Sequence, residues 1–480
     1  MRFILFVFLI GFAWVAKGQQ VAYEKKHPVD FYYKKLSKTA VKEDIQFWLT
    51  TMEESHVNMY HSISRKAMQE LTDSLLYKFT DSITHTDAVF IFSRLGAALD
   101  EGHVGLVSSK ITDSLYNQSL RFPFQLQKVT EDAWIIAYDI SSAQKLEMND
   151  RVTAINDIPV SELNKRFTSL FGGLESWKRE QIAYYSKKLL FLSGISSPFH
   201  IDAVKENGSK VRFTVEGFHR SQTDSITKVL TAKMSNQSNK PYEFSWLKDG
   251  IGYLNYRSMR DDATLPFDQF LKNVFSSLKD SSSKGLIIDL RENGGGDSQL
   301  GEQLLAHFNK KPYILAGGMK WKISSHYKTF LKSAKNYNEA DHKFYMSQPD
   351  GNTYTYVNRE LKKPAIKDPF FEGKVAFLIG TGTFSSANML ADGVVSYQLA
   401  ATFGEPTGES PNDFGEMFNF MLPHSHIIAR AASKMFTRAN KDEKNLGPVV
   451  PEKIITPTAS DKKQKRDPVL ESAVNWILNK

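Results

Sequence analysis

The 480-residue chain carries 61 Lys and Arg against 53 Asp and Glu, a net charge of +8, and has no cysteine. Its length exceeds one ordinary hydrophobic core and implies two or three domains, while the missing thiols exclude disulfides, a cysteine nucleophile, thiolate metal sites and a lipid-attachment cysteine. The basic residues come in short clusters such as Lys462, Lys463, Lys465 and Arg466, which do not make the aromatic-interleaved stripe that nucleic-acid binding requires.

In chain order, residues 1–18 read as a signal peptide. Arg2 precedes an apolar run from Phe3 to Ala16, and the small residues Ala16 and Gly18 place cleavage after Gly18. The run is shorter than a membrane span, and no later stretch reaches ~18 apolar residues, so the mature chain is expected to be soluble and exported, to a bacterial periplasm or beyond. Residues 19–113 are expected to be a helical region, with Ile45, Trp48, Leu49 and Met52 on one face and Leu71, Leu75, Leu76 and Phe79 on another. Residues 114–240 are expected to be β-rich, with strands near 133–137 and 211–215 and a helical insert over 176–190. A polar connector at 235–241 leads into a sheet domain over 241–480. Within that domain, 316–369 reads as a loop-rich insertion bearing Trp321, His326, Tyr327 and His342, placed to serve as a lid or substrate wall. No repeat of solenoid period is present.

The chemistry concentrates in two segments of the sheet domain. Leu286, Ile287 and Ile288 form a buried-strand run that ends at Asp289 and three consecutive glycines, Gly294, Gly295 and Gly296, before Leu300, Leu304 and Phe308 set a helical period. Glycines there leave backbone N–H groups uncovered at a strand end, where a polarised oxygen can be held. Neither a GxxxxGK[ST] nor a GxGxxG arrangement is present to make it a phosphate loop. About ninety residues on, a second run, Val375 to Ile379, leads to Thr383, Phe384, Ser385 and Ser386 at the start of another helix. A serine at such a turn is either a nucleophile with exposed hydroxyl or a helix cap; Ser385 is the candidate nucleophile.

DLRENGGG, TFSSAN and GEPTG together resemble the serine peptidases of the tail-specific, C-terminal-processing and tricorn-core family, whose pattern is close to DLRxNGGG, TxSAxE and VGExTxG. LGAALDEGHVGL at 95–106 resembles that family's histidine segment. The 145–163 stretch is similar to part of a PDZ-like module, with Asn149 before Asp150 where glycine is usual, and the tail from Pro448 resembles the closing motif.

The resemblance implies an α/β catalytic domain of the spiral, ClpP-like or crotonase-like kind, preceded by the N-terminal helical region and a PDZ-like β-rich module. It implies hydrolysis of peptide or protein substrates by Ser385. Family members with a serine–lysine dyad place the lysine where this chain has Ser410. The tricorn-like branch takes its base from an N-terminal histidine, which here is His103, and its third group from a glutamate, for which Glu443 is the nearest match. Asn388 stands where the family often has glutamate. The oxyanion hole implied is the Ser386 N–H with Gly295 or Gly296. No metal or organic cofactor is implied, and no HExxH spacing occurs. His103 as a structural histidine, and His424 or His426 as the base, are the alternatives for that role; His56 and His307 read as packing residues. Oligomeric state is left open. The rival functions are a catalytically degenerate peptide- or hydrophobic-ligand-binding protein and an acyl-CoA enzyme on the same fold, the latter opposed by the signal peptide.

Overall fold

The computed structural model describes residues 34–479 except 142, 223–239 and 335–336; the expected signal segment and most of the expected connector lie outside the described residues. The chain forms two compact units, one of 24–237 with 417–432, the other of 238–416 with 433–480.

In the first unit, the short strands β1 (Leu36–Ser37) and β2 (Ser82–Ile83) pair antiparallel. Three helices occupy this stretch: α1 (Lys38–Ser55), α2 (Arg65–Tyr77), which buries Met68, Thr72 and Leu76 rather than the expected Leu71, Leu75 and Phe79, and α3 (His85–Ala97). Each begins at a hydroxyl that accepts a backbone N–H: Ser37 from Ala40, Ser64 from Ala67, and Thr84 from Asp87. Such caps satisfy donors a helix start leaves orphaned. Val41, Ile45, Trp48 and Met52 make the buried face of α1. Helix α4 (Lys110–Gln118) leads to a sheet ordered β3 (Phe124–Val129), β4 (Trp134–Asp139), β5 (Arg151–Ile155), β7 (Phe199–Val204), β8 (Lys210–Val215), with β6 (Ile158–Pro159) beside β5.

The two-residue turn joining β5 to β6 has Asn156 and Asp157 both at positive φ, the geometry that matches strand twist. Asn149 likewise takes φ 74°, a left-handed backbone that glycine adopts most readily and asparagine tolerates. Helices α5 (Val160–Thr168) and α6 (Glu175–Leu192) close the core around Phe122, Phe124, Trp134 and Phe199. The 417–432 excursion is held in this unit by buried Asp44, which accepts the N–H groups of His424 and Ser425, both at 2.8 Å.

The second unit is built on a six-stranded, mostly parallel sheet. After β9 (Tyr242–Leu247), β10 (Ile251–Tyr256) and α7 (Phe267–Asp280) come β11 (Gly285–Asp289) and α8 (Ser298–Leu305). The insertion then contributes β12 (Gly318–Lys322), α9 (Ser325–Ser333), α10 (Glu339–Ser347) and β13 (Thr353–Val357). Next are β14 (Lys374–Ile379), α11 (Ser386–Ser396), β15 (Ala401–Gly404), β16 (Phe414–Met421), β17 (Ile428–Thr437) and β18 (Lys453–Ile454), closed by α12 (Ala459–Lys463) and α13 (Pro468–Ile477).

The main sheet runs β18-β15-β14-β11-β10-β9, with only β9 antiparallel to its neighbour. Alternate side chains of β11 and β14 enter different cores: Leu286, Ile288, Val375, Phe377 and Ile379 on one face, Ile287, Ala376 and Leu378 on the other with α13. Burial on both faces is why these strands read as unbroken apolar runs.

The 316–369 stretch is more regular than its loop-rich reading, since it holds two strands and two helices. Strand β12 pairs with β13 and β17, so the hairpin extends a second sheet ordered β13-β12-β17-β16. No helix among the described residues is long and apolar enough to cross a membrane.

Candidate active site

Strands β11 and β14 are adjacent and parallel, so their following turns emerge side by side at the carboxyl ends, where open α/β sheets bind ligands. Cross-bonds lace the two turns together. Thr383 Oγ1 donates to the Leu290 carbonyl at 2.8 Å, the Phe384 N–H to the Asn293 carbonyl at 3.0 Å, and Ser386 Oγ to the Gly296 carbonyl at 2.6 Å.

Ser385 occupies the N-cap position of α11 with φ 53° and ψ −128°, and its side chain does not cap the helix. Such a backbone is a sparsely populated region for serine, costing on the order of 1–3 kcal/mol, and it is the geometry of a strand-to-helix nucleophile elbow. The capping alternative therefore does not describe Ser385. It does not describe Ser386 either, whose hydroxyl is committed to the Gly296 carbonyl.

Gly295 lies directly against the elbow. A Cβ at this position would fall 2.7 Å from Ser385 Cβ and 2.8 Å from the Ser386 nitrogen, and its φ is 94°. The Gly295 N–H donates to Asn293 Oδ1 at 2.9 Å, while Asn293 Nδ2 donates to the Tyr256 carbonyl. Gly295 therefore contributes its lack of a side chain, and its N–H serves the turn. The N–H groups of Gly296 and Ser386 donate to no hydrogen-bond partner among the described residues. Gly296, at φ 138°, packs its α-carbon so tightly on Met259 that a Cβ would meet the Met259 carbonyl oxygen at 2.2 Å.

Asp289 and Arg291 of the DLR motif anchor the turn from below. The Arg291 guanidinium bonds Asp289 and makes two parallel bonds to Asp467 at 2.9 and 2.7 Å, joining the end of β11 to the start of α13. Tyr253 donates to Asp289 Oδ2, an oxygen it shares with Arg291, at 2.7 Å, and burial together with the neighbouring carboxylate pushes its phenol well above the usual range.

The residue that sequence reasoning missed is Glu409. It is 4 % exposed, and its Oε2 accepts the Ser385 N–H at 2.6 Å. Its carbonyl receives Asn388 Nδ2 at 3.1 Å and Thr407 Oγ1 at 3.2 Å. Asn388, in the place of the family's glutamate, thus holds the loop that carries a glutamate. The carboxylate oxygens of Glu409 and Asp413 come within 4.8 Å of each other. The only signal in the sequence was a carboxylate immediately before Ser410. Glu443 lies exposed on the loop after β17, and its carboxylate makes no hydrogen bond among the described residues.

His103 belongs to the first unit, in the turn after α3, half-buried. The turn is firmly built: Trp177 Nε1 donates to the Gly102 carbonyl at 3.2 Å, the Gly173 N–H donates to Asp100, and Lys178 pairs with Asp100 at 3.3 Å. Two residues before His103, buried Glu101 receives His56 Nε2 at 2.8 Å and His61 Nε2 at 2.9 Å on one oxygen. His56 Nδ1 accepts the Asn58 N–H, which leaves the ring proton on Nε2. Burial alone would push the Glu101 carboxyl up, but the two imidazoles outweigh it and the net direction is down.

Two of the other histidines named above have structural partners. His424 pairs with Glu43 at 2.7 Å in the first unit. In the second, His307 is buried, stacks on Phe275 and bonds the Pro369 carbonyl.

Residues 250–452 match the model of Peptidase family S41. Among solved structures, that of mature CPAF is similar at 14% identity and TM-score 0.60, over 92% of this chain and 98% of that one. Mature CPAF complexed with lactacystin matches at the same identity and TM-score over 92% and 100%. The photosystem II D1 C-terminal processing protease matches at 11% identity and TM-score 0.43, over 87% and 93%. At such identity the CPAF structures speak to the fold, a mixed α/β architecture shared over most of both chains. No curated protein matches. The family match covers the two laced turns, the elbow serine and the glycine beside it, so residues 250–452 are similar to Peptidase family S41 and the chain is a serine-type peptidase.

Proposed function

We propose that the peptidase hydrolyses peptide bonds through an acyl-enzyme formed on Ser385, with His103 as general base. The Ser385 hydroxyl attacks the scissile carbonyl and its proton passes to the imidazole, which returns it to the leaving amine; water then releases the acyl group by the same route. The oxyanion is held by the N–H groups of Ser386 and Gly296, two donors that need no reorganisation when charge develops. The observation that carries this reading is the Ser385 backbone at φ 53° and ψ −128° with Gly295 pressed against it, an elbow that has no use as a helix cap. His103 enters through the resemblance of its segment and through Ser410, which removes the dyad lysine. The leader at 1–18 is read as an export signal, so the enzyme acts on peptides or proteins outside the cytoplasm, with the β-rich module of the first unit as a PDZ-like element.

A fluorophosphonate probe tests the nucleophile. Wild type is expected to gain one adduct at Ser385, found by peptide mass spectrometry, and Ser385→Ala to gain none. A properly folded wild-type chain that neither labels nor cleaves a peptide library would favour the ligand-binding alternative. N-terminal sequencing of the exported protein, expected to begin at Gln19, tests the leader.

A further inference from the structure

We propose that Glu409 is the positioning carboxylate of this site, holding the nucleophile turn through Ser385 and orienting the imidazole that serves it, the role the family resemblance gives to Glu443. The proposal rests on the serine–histidine reading above. Its geometry comes from Glu409 alone, whose Oε2 lies 2.6 Å from the Ser385 nitrogen.

Within one serine, the backbone nitrogen and Oγ are about 3 Å apart. Any imidazole that takes the Ser385 proton must bring one ring nitrogen within ~3 Å of Oγ, and its second nitrogen lies only about 2 Å further across the ring. A carboxylate fixed on the Ser385 N–H is therefore placed where it can meet that second nitrogen when the ring approaches from the carboxylate's side. Glu409 is also firmly anchored, because it is buried and its own carbonyl is clamped by Asn388 and Thr407. Glu443 is exposed and carries no comparable anchor.

Two effects follow from one side chain. The bond to the Ser385 N–H offsets part of the cost of the strained turn. The negative charge, with that of Asp413 close by, favours the imidazolium that forms when the serine proton is transferred. In the balanced step, the Oγ–H bond breaks as the imidazole N–H bond forms, and the Oγ–carbon bond forms as the carbonyl π bond breaks and its electron pair moves to the oxygen; the imidazolium then gives its proton to the amine nitrogen as the carbonyl re-forms and the carbon–nitrogen bond breaks.

The test compares full-length wild type, Glu409→Gln, Glu409→Asp, Glu443→Gln and His103→Ala. It reads the second-order rate of fluorophosphonate labelling from pH 5 to 9, with circular dichroism to confirm folding. Glu409→Gln keeps an oxygen for the Ser385 N–H but lacks the charge. It is expected to label on the order of 10²-fold more slowly or worse, with the ionisation limb moved to lower pH by about one unit. Glu409→Asp, which keeps the charge on a shorter arm, is expected to lose rate while the limb stays in place, and it decides the matter should the glutamine variant fail to fold.

A wild-type rate and an unmoved limb in Glu409→Gln overturn the proposal, as does a limb displaced in Glu443→Gln instead. The limb of His103→Ala separates the two readings. If it survives there yet moves in Glu409→Gln, the histidine assignment falls and Glu409 stands; if it vanishes there while Glu409→Gln is unaffected, only Glu409 falls. A wild type that does not label overturns both.

Discussion

The hydroxyl of Ser386 donates to the carbonyl oxygen of Gly296 at 2.6 Å, so the serine next to the proposed nucleophile is committed to tying the two turns together. Its N–H is unaffected by loss of the side chain. Ser385→Ala is therefore expected to lower kcat/KM by ~10³-fold or more with an unchanged melting temperature. Ser386→Ala should lose roughly tenfold or less and melt a few degrees lower, since one hydrogen bond contributes about 0.5–1.5 kcal/mol. Peptide kinetics and thermal melts on both variants check this; reversed activities would move the nucleophile to Ser386.

Gly295 makes a steric prediction. An added methyl group at φ 94° would press on Ser385 Cβ at 2.7 Å and on the Ser386 nitrogen at 2.8 Å. Neither neighbour is a flexible side-chain end, so the elbow itself must shift. Gly295→Ala is expected to cost about 1–3 kcal/mol in urea unfolding and to slow probe labelling far more than that loss of stability explains. Gly294→Ala, whose Cβ would meet nothing within 4 Å, is the stability control and should unfold at the wild-type midpoint.

How much of this was legible in the sequence depended on whether the cause was local. Leu286 to Ile288 and Val375 to Ile379 read as buried strands because both faces of each are covered, and the glycine turn and elbow read from residues within a few positions of one another. β12 and β13 were hidden because Thr353, Thr355 and the lysines on β12 look like loop composition until Trp321 is paired with Tyr354. Glu409 escaped because its role depends on a bond to Ser385, 24 residues away, which no periodicity encodes. The Gly295 N–H likewise looked available until Asn293, two residues earlier, was seen to take it.

The base is tested by pH. With His103 in that role, kcat/KM is expected to fall as pH drops through the ordinary imidazole range, ~6 to 7, because the protonated ring cannot accept the serine proton. His103→Ala should abolish that limb along with most turnover. His424→Ala breaks the pair with Glu43 in the first unit and is expected to leave the limb where it was. A pH profile of peptide cleavage across the three proteins decides between them.

Asp467 offers a prediction about stability that is separate from catalysis. Partial burial pushes its carboxyl up, but the hydrogen bonds and charge of Arg291 outweigh this and the net direction is below the usual carboxylate range. A carboxyl depressed in the folded state stabilises the protein fully above its unfolded pKa, ~4, and that contribution disappears as pH falls through the lower, folded value. Asp467→Asn should thus be less stable than wild type at pH 7, by about 1–2 kcal/mol once the partial exposure of the Arg291–Asp467 pair is allowed for. The gap should hold down to about pH 5 and narrow below pH 4. Because the same guanidinium braces Asp289 at the end of β11, Arg291→Ala is expected to cost more than Asp467→Asn at neutral pH. Urea unfolding at pH 7, 5 and 3.5 measures both. A gap that stayed constant into acid would mean that the Arg291–Asp467 contact does not hold the two segments together.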